Sequence, residues 1–333
     1  MVRYLLDTGA RPSIQDSGRQ TPLHWAAERG NLRIVNLLLD SITAPKSSSQ
    51  PPLSSSTNAP GPLPQPAPES PSGSVQSNTA WNESPADMLN QTNSQGETAL
   101  MLAIRNAKDE TVRLLLRKGA KHGMDLDQKD GRGKTALHLA VDMKKEKLVE
   151  ELVGASALQT ALDGLERTPL FLAVQHGHEK AVDALLQDMP YVVRQQSDKH
   201  GRSALHAAVE RGHLGILKKL LEERFYEDAK DDLGRTPLLL AADNGDKDVV
   251  DLLLSHNARQ DLEDATGRTP LFLAVANGDL PIAKTLLSRS DAPITAENSQ
   301  SLLHLVVKSR SKAGGLARGR SLDPDAIGYA AEA

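Results

Sequence analysis

The chain of 333 residues has no cysteine. That removes disulfides, thiol catalysis and thiolate metal sites, and it is compatible with a reducing compartment. Aromatic residues make up 3% of the sequence, so whatever packs must do so in thin layers of Leu, Ala and Val. No apolar run approaches the roughly 18 residues of a membrane span. The opening Met1-Val2-Arg3-Tyr4-Leu5-Leu6 carries too short an apolar stretch for a signal peptide. Neither sign of charge dominates. There are 39 Lys plus Arg against 43 Asp plus Glu, a formal charge of -4, which argues against general nucleic-acid binding. The expectation is an intracellular protein, cytoplasmic or nuclear, with no membrane span.

What is present is one phrase, repeated. It is clearest as Thr21-Pro22-Leu23-His24-Trp25-Ala26-Ala27. It returns as Thr98-Ala99-Leu100, Thr135-Ala136-Leu137-His138, Thr168-Pro169-Leu170-Phe171, Ser203-Ala204-Leu205-His206, Thr236-Pro237-Leu238 and Thr269-Pro270-Leu271, with a worn copy at Ser301-Leu302-Leu303-His304. The successive gaps are 77, 37, 33, 35, 33, 33 and 32 residues. A fixed period marks a stack of equivalent units rather than one globular core.

The stretch from Asp231 to Gln260 shows what one unit does. Asp231-Asp232-Leu233-Gly234-Arg235 is turn chemistry. Thr236 suits a helix cap and Pro237 its first turn, where no amide donor is needed. Leu238 to Ala242 form a short apolar helix, ended by Asp243-Asn244-Gly245 with Gly245 as left-handed C-cap. Val249 to Leu254 give a second helix with one apolar side. Neither helix buries its face alone, so cohesion comes from neighbouring repeats.

With these residues quoted, the chain resembles the ankyrin-repeat family. The T-P-L-H-x-A phrase, the pairs Gly177-His178 and Gly212-His213, and the helix endings at Leu115–Ala120 and Leu5–Ala10 all match that family's pattern. The resemblance covers most of residues 2–310. It implies an all-α repeat solenoid of stacked helix-turn-helix units with protruding β-turn or hairpin fingers. It also implies that His24, His138, His206 and His304 hydrogen-bond within their helix-starting turns. Lys144, at a helix-ending Gly position, and Glu166, at a turn Gly position, depart from the pattern, and a looser stack is expected there.

The expected organisation has four parts. Residues 1–40 hold a partial repeat and the first full one. Residues 41–92 are a disordered Pro/Ser-rich insert, where nine of the 19 prolines lie between Pro45 and Pro71. Trp81 and Ala86-Asp87-Met88-Leu89 are its sizeable apolar features, which either dock on the array, serve as a short partner motif or belong to an undocked linker. Residues 93–310 form the array with a degenerate last repeat, and 311–333 a disordered tail. Residues 2–10 read as a second helix lacking its first, and Leu302–Val307 as a first helix lacking its second. Uncapped ends of this kind suit end-to-end contact, a longer array, an incomplete gene product or cover by a partner.

Candidate chemistry is sparse. Gly131-Arg132-Gly133-Lys134-Thr135 resembles a phosphate-loop ending, but the required earlier glycine is Gln128. The lead histidines lie in different layers, so no metal site is expected. His176 and His178 read as loop residues. The acids recur at the turns, at Asp16, Asp130, Asp163, Asp198, Asp231 and Asp264, as turn formers. No catalytic, cofactor-binding or metal residues are assigned, and no enzyme activity is expected.

Two surfaces remain. One is a column of cations before the lead: Lys134, Arg167, Arg202, Arg235 and Arg268, read as a basic ridge against ordinary turn residues. The other is the varied pair at each first-helix end: Glu28-Arg29, Arg105-Asn106, Asp142-Met143, Gln175-His176, Glu210-Arg211, Asp243-Asn244 and Ala276-Asn277. In the family such tips and edges form the concave binding face. The partner-binding candidates are therefore Glu28, Arg29, Arg167, Gln175, His176, Arg202, Glu210, Arg211, Arg235, Asp243, Asn244, Arg268 and Asn277. The expected function is a non-catalytic module or scaffold holding an unknown protein partner without cofactor. The alternative is a regulatory or sensor segment of a larger multidomain protein.

Overall fold

The computed structural model describes residues 1–43, 84–187, 189 and 191–289. The expected insert core with Trp81, the degenerate repeat at 301–310 and the tail lie outside the described residues. The architecture is an all-α repeat solenoid, built as helix pairs. Helix α1 (Val2–Asp7) precedes the first full repeat, α2 (Pro22–Arg29) and α3 (Leu32–Thr43). Then come α4 (Pro85–Leu89), α5 (Ala99–Arg105), α6 (Asp109–Gly119), α7 (Ala136–Asp142) and α8 (Glu146–Gly154). The remaining pairs are α9 (Pro169–Gln175) with α10 (Glu179–Leu186), α11 (Ala204–Glu210) with α12 (Leu214–Glu222), α13 (Pro237–Asn244) with α14 (Lys247–Ser255), and α15 (Pro270–Asn277) with α16 (Leu280–Ser288). The chain divides into two compact units, Met1–Leu139 and Ala140–Ala333.

The lead threonine starts each first helix by the expected mechanism. Its hydroxyl accepts from the backbone N–H three residues on, at Thr98 (3.3 Å), Thr168 (3.1 Å), Thr236 (3.2 Å) and Thr269 (3.2 Å). Prolines 22, 169, 237 and 270 occupy the first turn. The residues that follow are buried: Leu170, Leu172 and Ala173 in α9, and Leu238, Leu239, Ala241 and Ala242 in α13. Gly245 ends α13 with φ 77°, a backbone conformation that costs an L side chain about 1 kcal/mol or more. Lys144 and Glu166 nevertheless adopt φ 55° and 59° at the two departing positions. The local turn conformation is kept there at the cost of backbone strain.

In the first unit, α2 packs on α3 and α5, and α3 on α6. In the second, α9 packs on α10 and α11, α11 on α13, and α13 on α15. The end of the expected insert needs correction. Ser84 caps α4, accepting from Asp87 N at 3.1 Å. Met88 and Leu89 are buried against the array, with α4 packed on α3. Asn90 then donates from Nδ2 to Gly123 O (2.9 Å) and accepts from Asp125 N (2.8 Å). Two apolar groups and a bidentate amide therefore order Ser84–Asn90, which composition alone assigns to the insert. Helix α1, by contrast, buries none of its residues, and Leu271 and Phe272 on α15 are only half-buried. Their counterparts Leu170 and Phe171 are fully packed.

The lead histidines join successive repeats. His24 Nδ1 accepts from Thr21 N (3.1 Å), while Nε2 donates to Glu97 O (3.1 Å) in the next repeat. His206 repeats this with Ser203 N (3.1 Å) and Arg235 O (2.9 Å), and His138 Nδ1 accepts from Thr135 N (3.2 Å). His304 lies outside the described residues. Burial pushes His24 and His206 below the ordinary value of 6.5, although their backbone partners favour the charged ring. A depressed histidine contributes stability that is present above the unfolded value and lost as pH falls through the folded one. Between about pH 7 and about pH 5 the protein should therefore lose stability. The paired change His24→Leu and His206→Leu, which copies the Leu239 found at the same register, should flatten that slope in urea melts at each pH. An unchanged slope would assign the loss to other groups.

Candidate functional site

The tips and first-helix ends are built by one recurring device. In each turn a side-chain oxygen accepts two backbone amides, two and four residues on. Asp198 Oδ1 takes His200 N (3.0 Å) and Arg202 N (2.9 Å), and Asp231 Oδ1 takes Leu233 N (3.0 Å) and Arg235 N (2.7 Å). Asp16, Asp130, Asp163 and Asp264 do the same. Adjacent tips are then tied backbone to backbone. Ser94 N donates to Gly18 O and Gly131 N to Gln95 O in the first unit; Lys199 N to Leu165 O, Asp232 N to His200 O and Ala265 N to Leu233 O follow in the second. These fingers are tight turns; the one β-bridge among the described residues joins Ser197 and Ser203.

The remaining carboxylate oxygen decides the fate of the cation column. Asp163 Oδ2 accepts Arg167 Nε (3.1 Å) and Nη2 (2.9 Å), and Asp198 Oδ2 accepts Arg202 Nε (2.9 Å) and Nη2 (2.7 Å). Both arginine side chains are only 4% exposed. The basic ridge is therefore corrected: Arg167 and Arg202 are internal struts, neutralised by their own turns. Arg235 is held in the same way by Asp231 (Nε 2.8 Å) and stays partly accessible. Arg268 bonds to Asp264 through Nε (2.7 Å) but is 41% exposed. Burial opposes ionisation of Asp264, yet the Arg268 and Thr266 donors outweigh it and hold this carboxyl well below its usual range.

The two sequence-defined surfaces turn out to be coupled at a spacing of eight. Arg167 Nη1 donates to Gln175 Oε1 (3.3 Å) and Arg202 Nη1 to Glu210 Oε2 (3.3 Å). The second repeat inverts the charges. Asn93 replaces the turn aspartate and Glu97 the cation. Asn93 Oδ1 still accepts Gln95 N and Glu97 N, both at 2.9 Å, and its Nδ2 donates to Glu97 Oε2 (3.1 Å). Glu97 is 4% exposed, and Arg105 Nη1 sits 2.6 Å from its other oxygen as an ion contact without hydrogen-bond alignment. Arg105 also reaches Asp130 Oδ2 in the next turn, at 3.7 Å.

What remains on the surface is the first-helix edge. In the first unit, Arg29 is exposed and Glu28 half-buried. In the second, His176, Glu210, Arg211, Asp243, Asn244 and Asn277 are exposed and Gln175 half-buried. His176 Nε2 stands 3.6 Å from Asp142 Oδ1 and its ring stacks on His178 at 5.4 Å. Asn277 Nδ2 donates to Asp243 O (3.0 Å), linking the ends of α13 and α15. Two edge residues, Trp25 of the lead phrase and Arg105 of the varied pairs, are left out of the selected partner-binding candidates. Trp25 looks like core, and Arg105 gains meaning only through Glu97, whose wrong sign at its register was the readable clue. Among the described residues no His, Asp and Glu group is placed to hold a metal ion, and no helix is long and apolar enough to cross a membrane.

The repeat architecture is matched by known proteins. Family models described as ankyrin repeats match residues 1–39, 74–161, 144–230 and 216–298. The chain belongs to the ankyrin-repeat family, whose repeats generally mediate protein–protein interaction. Among solved structures it is similar to the ankyrin repeat domain of Bcl-3, described as a unique member of the IkappaB protein family. That similarity has 28% identity and a TM-score of 0.57, covering 63% of this chain and 99% of that one. No curated protein matches the chain.

The buried struts lead to a sharp contrast. Arg202→Gln should cost about 3–5 kcal/mol, because it leaves the Asp198 charge buried and incompletely paired. Arg268→Gln should cost about 1 kcal/mol or less, because that guanidinium is 41% exposed and Asp264 keeps the Thr266 hydroxyl as a side-chain donor. Denaturant melts of the two variants check this. Equal losses would remove the distinction between strut and surface cation.

Proposed function

We propose that the protein is a non-catalytic binding module or scaffold that holds a protein partner along its first-helix edge and turn tips, the face that ankyrin arrays present as concave. One observation carries the reading. The lead, its cap and most of the apolar seam are uniform and buried, whereas the exposed first-helix ends vary: Arg29, His176, Arg211 and Asn244 occupy one register position, where Asn277 repeats Asn244, and Glu210 and Asp243 occupy the position before it. Recognition needs variation on a constant scaffold, and the tip ladder holds these side chains at fixed spacing without an ordering cost at binding.

The buried arginines take a different part in this reading. Arg167 and Arg202 position Gln175 and Glu210 from behind. Arg235 and Arg268 contribute directly to the extent that they reach solvent. The charged residues set partner choice and association rate, and a buried partner side chain supplies most of the affinity.

The test is a double variant, Arg211→Glu with Asp243→Lys, compared with Lys218→Glu on the exposed side of α12. Such surface changes usually shift stability within about 0.5 kcal/mol. Capture of cellular protein partners should fall with the edge variant, persist with the α12 variant, and leave helical content unchanged in both. Capture that ignores the edge variant would move the site elsewhere on the chain.

A further inference from the structure

We propose that the first unit's edge, centred on Trp25, Arg29 and Arg105, is a docking surface for an acidic protein segment that carries an apolar anchor residue. This deepens the protein-binding reading above and rests on it. The starting point is Trp25. The same register position is buried in the other repeats, at Leu102, Leu172, Ala207, Leu240 and Leu273. Trp25 is 42% exposed. It is not loose: its Nε1 donates to Asp16 Oδ2 at 2.9 Å, and the Arg29 guanidinium lies 5.6 Å from the ring centroid. The result is a fixed apolar plate with a cation stacked on it, and Trp and Arg are the residue types that dominate interface energetics.

The surroundings determine the sign of the partner. The Lys108 stem runs against Gly30 at the end of α2, with its Cδ 2.8 Å from where a Cβ would stand. That sets the Lys108 stem against the residue that follows Arg29 in the chain. Arg105, 45% exposed, follows at the end of α5, the helix packed on α2. Arg19 and Arg132 are exposed on the bonded row of tips. The acids of this region face inward or are engaged. Glu97 and Asp130 are buried against Arg105, and Glu28 is half-buried. Asp16 is exposed, but Oδ1 accepts Gly18 N and Gln20 N and Oδ2 accepts the Trp25 indole. An approaching segment therefore meets guanidinium and ammonium donors around an aromatic plate. A carboxylate side chain satisfies the donors, and a neighbouring Leu or Phe covers the indole.

The experiment uses the full chain with Trp81→Phe, so that fluorescence reports Trp25. The probe is a short synthetic peptide of glutamates around one leucine, with a lysine version of the same peptide as control. The acidic peptide should shift Trp25 emission and weaken with added salt. Arg29→Glu should lower its affinity about tenfold, equivalent to about 1.4 kcal/mol, and so should Trp25→Leu, which removes the reporter and is therefore read by the anisotropy of a dye-labelled copy of the peptide. Arg105→Lys, which keeps a cation over Glu97, serves as a folded control for the tip network and should lower it less. The proposal is overturned if the lysine peptide binds equally, if the two variants bind as well as the parent, or if single-stranded DNA competes regardless of Trp25. If the acidic peptide fails while the Arg211→Glu, Asp243→Lys pair still abolishes partner capture, this proposal falls and the broader edge-binding reading stands.

Discussion

Everything in this protein hangs on one oxygen per repeat. The turn Asp or Asn oxygen that accepts amides two and four residues on closes each tip and so aims the lead threonine into its helix. It also sets the tip backbone close enough for the next tip to donate to it. At Gly234 a Cβ would stand 2.8 Å from Ala265 N, so backbone approach as well as positive φ demands glycine. Local turn chemistry thus fixes the spacing between layers, and the Leu and Ala seam fills a gap whose width is already determined.

The second carboxylate oxygen explains the charge pattern. Four backbone and side-chain donors on one buried aspartate make a closed electrostatic unit, as at Asp198 with His200 N, Arg202 N and two Arg202 side-chain donors. The arginine is then a structural partner, and its far nitrogen orients a residue eight positions on. Repeat two shows that geometry, not sign, is what the turn requires. Asn93 keeps the acceptor, gains a donor and is matched by Glu97, and the cation moves to Arg105. The inversion turns a carboxylate edge into a guanidinium edge without altering the turn.

Much of this was legible in the chain. Thr-Pro at helix starts, Gly245 at a helix end and the 33-residue period each have a local physical cause, and local causes are read from sequence. Even the strained Lys144 and Glu166 were visible as departures from a Gly register. Burial of Arg167 and Arg202 was not, because a turn arginine looks solvated until its own aspartate is placed behind it. The link between position pairs eight apart is a through-space relation that appears only once the turn folds back over the helix end. The docking of Ser84–Asn90 stayed open in the sequence for the same reason. Its two apolar residues order nothing until α3 and the Gly123 carbonyl are there to receive them.

The division of labour bears on how such a surface can change. Residues that close the turn are constrained by amide geometry, and residues of the seam by volume. The first-helix end answers to neither. Its charge can invert if one partner at the tip inverts with it, as Glu97 and Arg105 do together. Single substitutions at buried tip positions such as Arg202 break a paired charge, whereas paired ones re-specify the edge at little cost to the fold. Variation should therefore move through coupled tip–edge pairs. The exposed Trp25 lies outside that coupling, because its ring is held by the Asp16 acceptor at Nε1 and by the Arg29 guanidinium over its face, and neither depends on a tip–edge charge pair.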